Sequence, residues 1–550
     1  EEKLREGWDR ERARKYAEAV TTYLAIALIK YANYSSLVAV WNHSLIMAHS
    51  LSMRGIAMVW NWNDMVPWIS WTGTYLRNLK TLEEGLSYLV SAVSGSPSRV
   101  RVLLDDATVL GSVGDERFDV IVTDPPYRDN IPYAELSDFY YVWLKRALSG
   151  DKLEAKFHRK ALMYNTQWET LAIHEASYSE GRLKYFGVKD PDHYYRSLMG
   201  KAFARMSELV GGGGLIATYF AHTSPEAWVA LVDAGWRSAG LRVTSAWGII
   251  AESEERVTAI GKTALKSNIV VVWRKRAEDG KRVGEYLDVY KEAFKSARRA
   301  KDVALGSGLS GGDLFLAVML GALSMFTSYD RIVHFGRELS AGDLVRESYA
   351  IASRVIANAS EALKSPEALF YLTSKAVFRL YSKPKGQASL QGVPVEPIVL
   401  SSQDIITLSY GFIGNSLDRE KGYKLFESAG IVKSTGNPSG DKKSKQKEFT
   451  LLEPLNTTIG ELKRVLGVRG INPLKLAAEG RKINTIDVLH LLEYYAKQGS
   501  HEFQAVYQNL YNMYPELVKE AVEAAKVIRG YAWDPESDLS NLVIEYIEGR

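Results

Sequence analysis

The chain has 550 residues, no cysteine, 46% hydrophobic residues and a formal charge of +4. That length gives room for three or four domains of about 150 residues each. The missing thiols exclude disulfides, thiolate zinc sites and a cysteine nucleophile, and the small net charge means that any nucleic-acid contact must come from local basic patches.

No apolar run reaches the roughly 18 residues of a membrane span, and the opening EEKLREGWDRERARK is too charged for a signal peptide; a cytoplasmic chain with no membrane attachment is expected. Residues 1–95 read as a helical, aromatic segment packing on the domain that follows. Glu11 to Tyr34 carries Tyr23, Leu24, Ala27, Leu28 and Tyr31 at helical spacing. Within MVWNWNDMVPW, Met58 to Trp68, three tryptophans surround Asn61, Asn63 and Asp64. Two readings stand for it: a loop lining a site, and a tryptophan-rich core loop whose indoles need polar partners.

Residues 96–276 alternate strand and helix, as an α/β domain does. Val100 to Leu104 is expected as a strand ending in Asp105, Asp106 and Ala107. Phe118 to Val122 is short, β-branched and bounded by turn residues, which predicts a buried strand. Asp124 then falls at its carboxyl end, where open α/β sheets bind ligands. Pro125 and Pro126 stop the ladder and stiffen the turn. An exocyclic amine has two hydrogens to give, one to the Asp124 carboxylate and one to the Pro125 carbonyl, while Tyr127 offers a ring for stacking. An amine held that way becomes pyramidal and nucleophilic.

A charged, aromatic insertion follows, 128–190, with Asn130 and Tyr133 close enough to border the pocket or to brace the turn. Asp192 to Leu209 is predicted helical, the glycines 211–214 are its C-terminal turn, and Leu215 to Phe220 is a strand. The glycines precede a strand where a dinucleotide loop would follow one, so they are not a phosphate loop. His222 is placed on the same sheet edge as Asp124, either facing a base or the DNA backbone, or capping a loop. A helix from Pro225 to Ala239 leads to a closing strand pair, Arg242 to Ile250 and Ser267 to Trp273.

Residues 277–400 form a helical domain: Glu278 to Leu305 is charged, Asp313 to Ser328 strongly apolar, and Ser340 to Tyr381 helical. In residues 401–550, Ser402 to Phe426 with the hairpin-like Gly430 to Leu452 suggests a winged helix. Its wing would carry Lys442, Lys443, Lys445 and Lys447, which either grip phosphates or lie in a solvated loop. Helices fill Thr485 to Arg550.

The string TDPPYRDNIPYAELSDFYYVWLKRAL, Thr123 to Leu148, resembles amino-methylating S-adenosylmethionine (SAM) enzymes, and more closely the DUF1156 group of adenine-specific DNA methylases. AEAVTTYLAIALIKYANYSS from Ala17, GGGGLIATYFAHTSPEAW from Gly211, ALKSNIVVVWRKR from Ala264 and, more weakly, TIDVLHLLEYYAKQG from Thr485 agree in order. The resemblance implies a Rossmann-like sheet, SAM as cofactor, no metal, and DNA as partner. The methylated group would be the exocyclic amine of a flipped base, adenine N6 first, with cytosine N4 and RNA as rivals. It makes Asp124, Pro125, Pro126 and Tyr127 the catalytic motif, with Asp124 also at the cofactor. Asp106, or failing it Asp105, would contact the cofactor adenine; a helix N-cap is the equal alternative for that aspartate. The family's acidic positions in the tryptophan loop are asparagines here.

Two family features are missing before Val100: the FxGxG strand that approaches the methionine end of SAM, and the acid that binds its ribose. That first strand normally lies beside the DPPY strand in the middle of the sheet, so its absence would leave two interior ladder edges unpaired. The expectation is a partner polypeptide, or a segment outside this sequence, that completes the sheet. The alternative function is a catalytically silent DNA-binding or scaffold subunit of a restriction or defence complex.

Overall fold

The computed structural model of the chain describes residues 1–39, 49–51, 60, 62, 64–103, 105–128, 133–148, 168–176, 178–220, 222, 224–249, 268–276, 282–380, 398–413, 419–436, 448–451, 483–532 and 534–549. It is a mixed α/β protein, mostly helical, in two compact units: residues 1–114 with 126–199, and residues 115–125 with 200–550. None of the described helices is long and apolar enough to cross a membrane.

The first unit opens with α1 (Glu2–Arg5) and α2 (Arg10–Tyr34), the latter capped by Asp9, whose side chain accepts the Arg12 amide. Thr74 caps α3 (Tyr75–Val93) in the same way. The helix α2 packs on α3 and on α4 (Tyr133–Leu148) and buries Ala25, Ala27 and Ala32, whereas Tyr23 and Leu24, expected to pack, are exposed. Two short helices, α5 (Trp168–Ala172) and α6 (Glu180–Tyr185), lie in the predicted insertion, and α7 (Pro191–Leu209) matches the helix expected from Asp192. Asp138 on α4 fastens the insertion: it accepts Trp168 Nε1 at 2.9 Å and Arg182 Nη1 at 2.6 Å, with the Arg182 guanidinium over the Trp168 ring.

The second unit contains the sheet. Its strands are β1 (Phe118–Thr123), β2 (Val210–Phe220), β3 (Leu241–Ile249) and β4 (Asn268–Lys275), in spatial order β1-β2-β4-β3. The β1-β2 pair is parallel, with Thr123 beside Thr218; β4 runs antiparallel to both of its neighbours. Helix α8 (Pro225–Val232), extended by a π-helical turn (Asp233–Ser238), connects β2 to β3.

Three expectations need correction. Residues 100–103 form no strand; Val100 and Val102 are 85% and 90% exposed, and a strand without a neighbour has nothing to satisfy its amides. The strand β1 forms as expected but is not buried: Val120 and Val122, which share one face, are 53% and 62% exposed, and its outer edge carries no further strand among the described residues. The four glycines belong to β2 itself. Val210 pairs with Phe118 and Leu215 with Val120, so residues 211–214 loop out opposite Asp119. A Cβ on Gly214 would stand 2.7 Å from the Asp119 carbonyl oxygen, which is why the close approach takes glycine.

Beyond the sheet, β5 (Val283–Glu285) leads into α9 (Tyr286–Gly306), and α10 (Gly311–Phe326) is the buried apolar helix that the sequence predicted. The short strands β6 (Arg331–His334) and β7 (Arg337–Glu338) join β5 in a small sheet. Helix α11 (Ala341–Ala357) starts in a reciprocal cap between Ser340 and Asp343 and is followed by α12 (Pro366–Lys375). Next come β8 (Val399–Ser401), α13 (Ser402–Ile413), α14 (Arg419–Ser428), β9 (Val432–Gly436) and β10 (Glu448–Leu451), a helix pair and hairpin where the sequence placed them. The three strands form a sheet in the order β8-β10-β9.

Helices α15 (Thr485–Gln498), α16 (Ser500–Met513), α17 (Pro515–Arg529) and α18 (Glu536–Glu548) close the chain. On α17, the Glu520 carboxylate accepts the backbone amides of Lys364 and Ser365 at 3.2 and 3.1 Å and the Thr485 hydroxyl at 3.1 Å.

Candidate functional site

Parallel pairing brings the carboxyl ends of β1 and β2 to one sheet edge, so Asp124 and His222 share it, as expected. The Asp124 side chain is exposed there. His222 is 9% exposed and works locally: its Nδ1 accepts the Ser224 amide at 2.8 Å, and its carbonyl accepts Trp228 Nε1 at 2.9 Å. Accepting through Nδ1 fixes a ring nitrogen without a proton, and the histidine shapes the entry into α8.

After Pro125 the chain passes into the first unit, where the bend is over-determined. The Arg128 amide donates back to the Pro126 carbonyl at 2.9 Å, a three-residue turn centred on Tyr127. The Tyr195 hydroxyl donates to that same carbonyl at 2.8 Å and accepts the Arg128 amide at 3.3 Å. Arg128 adopts a left-handed backbone, φ 47°, uncommon for a residue with a side chain. Its guanidinium holds it there, reaching Asp192 Oδ1 through Nε and Nη2 at 3.2 and 3.0 Å and stacking over the Tyr178 ring at 4.6 Å. Arg196 Nε takes the other Asp192 oxygen at 2.7 Å. Tyr127, the residue expected to stack on a base, is 9% exposed. Tyr133 begins α4 and is half-buried.

The two aspartates proposed for the cofactor adenine build a turn of their own. Asp106 Oδ1 accepts both the amide and the hydroxyl of Thr108 at 2.7 Å, and its Oδ2 lies 3.5 Å from His174 Nδ1. Asp105 accepts the Ser112 amide at 2.6 Å and the Asp106 amide at 2.9 Å, and the Ser112 bond above all holds its carboxyl below the usual range. These are the bonds of a capped turn, the alternative reading of that pair. SAM therefore has no complete cradle among the described residues: no glycine-rich turn joins a strand to a helix, and the carboxylates meant for the adenine are engaged at home.

In the tryptophan loop, Trp60, Trp62 and Trp68 are 86%, 48% and 70% exposed, which removes the core-loop reading for those rings. Asn61, Asn63, Asn130, Lys442, Lys443, Lys445 and Lys447 lie outside the described residues.

Sequence reasoning missed Tyr178, Asp192, Tyr195 and Arg196, which hold the bend from 50 or more positions away. For the last three, the one legible signal is the run of acid, tyrosine and arginine in PDHYYR at the start of α7. Comparisons with protein-family models, with curated proteins and with solved structures return no match.

Proposed function

We propose that the chain is the base-holding part of a SAM-dependent DNA methyltransferase that modifies an exocyclic amine, adenine N6 first. The FxGxG strand that binds SAM comes from a partner polypeptide or from a segment outside this sequence. One observation carries the reading: Asp124 is exposed at the carboxyl end of β1, whose outer edge pairs with no other strand among the described residues. The DPPY resemblance gives that carboxylate its chemistry, and the Rossmann-like assignment of the sheet rests on the same resemblance. The helix pair and hairpin of β8 to β10 read as a winged helix whose wing lysines, 442, 443, 445 and 447, grip DNA phosphates.

SAM supplies a methyl group on a sulfonium leaving group, so the protein need not generate a strong nucleophile; alignment and exclusion of water suffice. Flipping the base costs a few kcal/mol, offset by stacking and hydrogen bonds in the pocket. Asp124 accepts one amine hydrogen and the Pro125 carbonyl the other, which sharpens the nitrogen lone pair. The Tyr195 and Arg128 bonds keep the bend from rearranging as the base arrives. For Tyr127 to stack, its ring must turn out of the packing that now covers it.

A second reading, a catalytically silent DNA-binding or scaffold subunit, is favoured by the self-satisfied Asp105 and Asp106 turn and by the cover over Tyr127. Mass spectrometry of nucleosides from DNA incubated with SAM, with and without candidate partner chains, separates the two. The enzyme reading expects N6-methyladenine only in the completed assembly, and a loss of a hundredfold or more, on the order of what losing one key polar group at a reacting centre costs, for Asp124→Ala with the fold intact. Full activity in Asp124→Ala would remove that residue from its role, and methyl-free DNA under every pairing would leave the silent subunit.

A further inference from the structure

The C-terminal helices enclose a set of charges that no part of the proposed methyl transfer uses. His490 and Glu493, one helical turn apart on α15, face Glu536 at the start of α18, and the three are at most 1% exposed. One ligand atom from each lies within 4.8 Å of the others. We propose that this cluster is a structural site for a divalent transition-metal ion, with zinc the natural first candidate for an imidazole and two carboxylates.

Charge balance is the first support. Three buried carboxylates, Asp534, Glu493 and Glu536, surround one ammonium, Lys375, which lies 2.8 Å from both Asp534 oxygens and 2.5 Å from Glu536 Oε2. Counting these four groups with His490 neutral, two negative charges are left over. An uncompensated charge in an apolar interior is too costly to persist. Two protons, one on Glu493 and one on His490, would cancel the excess; so would one divalent cation.

Partner geometry favours the cation. Glu493 Oε1 takes the Ser540 hydroxyl at 2.6 Å, while its buried Oε2 meets no nitrogen or hydroxyl donor among the described residues and faces the Glu536 carboxyl. His490 Nε2 lies 3.3 Å from Glu536 Oε1, so two of the three side chains already meet. The Tyr371 hydroxyl lies 2.6 Å from Glu536 Oε2 and 3.2 Å from His490 Nε2, and Lys375 clamps Glu536. Burial, reinforced by Glu536, pushes the Glu493 carboxyl well above its ordinary range. For Glu536 burial acts the same way, but Lys375 and His490 outweigh it and hold that carboxyl low. Metal–ligand bonds of about 2.1 Å would draw the side chains together by an ångström or so. Because no ligand is exposed, the ion would be taken up as the chain folds.

The test uses the full-length chain and Zn2+ alone as probe. The protein is unfolded with chelator, refolded with and without Zn2+, and dialysed; metal content is then read by mass spectrometry and the midpoint of thermal unfolding by circular dichroism. The proposal expects about one Zn2+ retained per chain, a higher midpoint in the zinc-refolded protein, and loss of both in Glu493→Gln. It is overturned if wild-type protein refolds to the same midpoint without retaining zinc, a result that stands whether or not the variant folds. Equal zinc retention by Glu493→Gln would equally remove the site. Neither readout depends on methyl transfer.

Discussion

Along β1, Val120 and Val122 are 53% and 62% exposed, whereas in the helices at the chain's end His490, Glu493 and Glu536 are at most 1% exposed. The first region puts apolar side chains into water and has a ladder edge unpaired among the described residues; the second puts ionisable groups into the interior. Each inverts the ordinary partition, and such inversions carry more information than the many residues that obey it. An exposed edge of this kind invites another strand. A buried excess of carboxylates invites a cation. The comparison teaches that what a region lacks can be read from which rule it breaks.

The contrast is sharpest where its parts can be removed one at a time. Lys375→Met leaves Asp534 and Glu536 buried without their ammonium and is expected to cost about 3–5 kcal/mol, read by urea unfolding. A loss below 1 kcal/mol would mean that the buried charges are neutralised by something else. Gly411→Ala probes the same half by packing alone: its Cβ would stand 2.3 Å from the Ala350 backbone nitrogen, where α13 crosses α11. About 1–3 kcal/mol is expected from that overpacking, with no change in acid sensitivity.

Acid sensitivity is the task of Asp343. Burial opposes its charge, but the Ser340 amide and hydroxyl, with Arg337 and Arg346, outweigh it and hold the carboxyl below its ordinary range. A folded pKa below the unfolded one gives stability that is present above the ordinary carboxylate value of about 3.9 and is lost as pH falls through the folded value. Ser340→Ala is expected to cost about 1 kcal/mol at neutral pH and to flatten that acid limb; an unchanged limb would assign it to other carboxylates. Smallest in stability is Val122→Lys on the open edge, expected to stay within about 0.5 kcal/mol of wild type because the side chain already faces water. If a partner strand completes the sheet, as proposed, its effect should appear only in co-purification with that partner, as lost binding.

Much of the framework was legible from periodicity. Apolar spacing marked the helices that became Pro191–Leu209 and Gly311–Phe326, and the β-branched run ending in a diproline marked β1. The closing strands fell within two residues of where they were expected. Residues 100–103 misled because RVRVLL has the composition of a strand, and composition does not supply a neighbour. The glycine run misled because a bulge and a helix end ask for the same residue. Strands of two to four residues, β5 to β7, carry no pattern to read.

At the sheet edge, Asp124 and His222 were found because strand ends are local features. Tyr195, which braces the diproline bend, lies 69 residues from the carbonyl it holds. The charged cluster is more scattered still, joining residues 119 and 165 positions apart. Its one trace in the sequence is HLLE, where a histidine and a glutamate at one-turn spacing interrupt an apolar stripe.

The Glu520 carboxylate sets a boundary for anyone who would dissect the molecule. It fastens the starts of two helices that begin at residues 366 and 485, and it does so from near the end of the chain. Shortening the protein from its C-terminus past that residue would unbutton both helices at once. The last stretch is therefore a keystone of this half, and no trimmed version lacking it will report on the behaviour of the intact polypeptide.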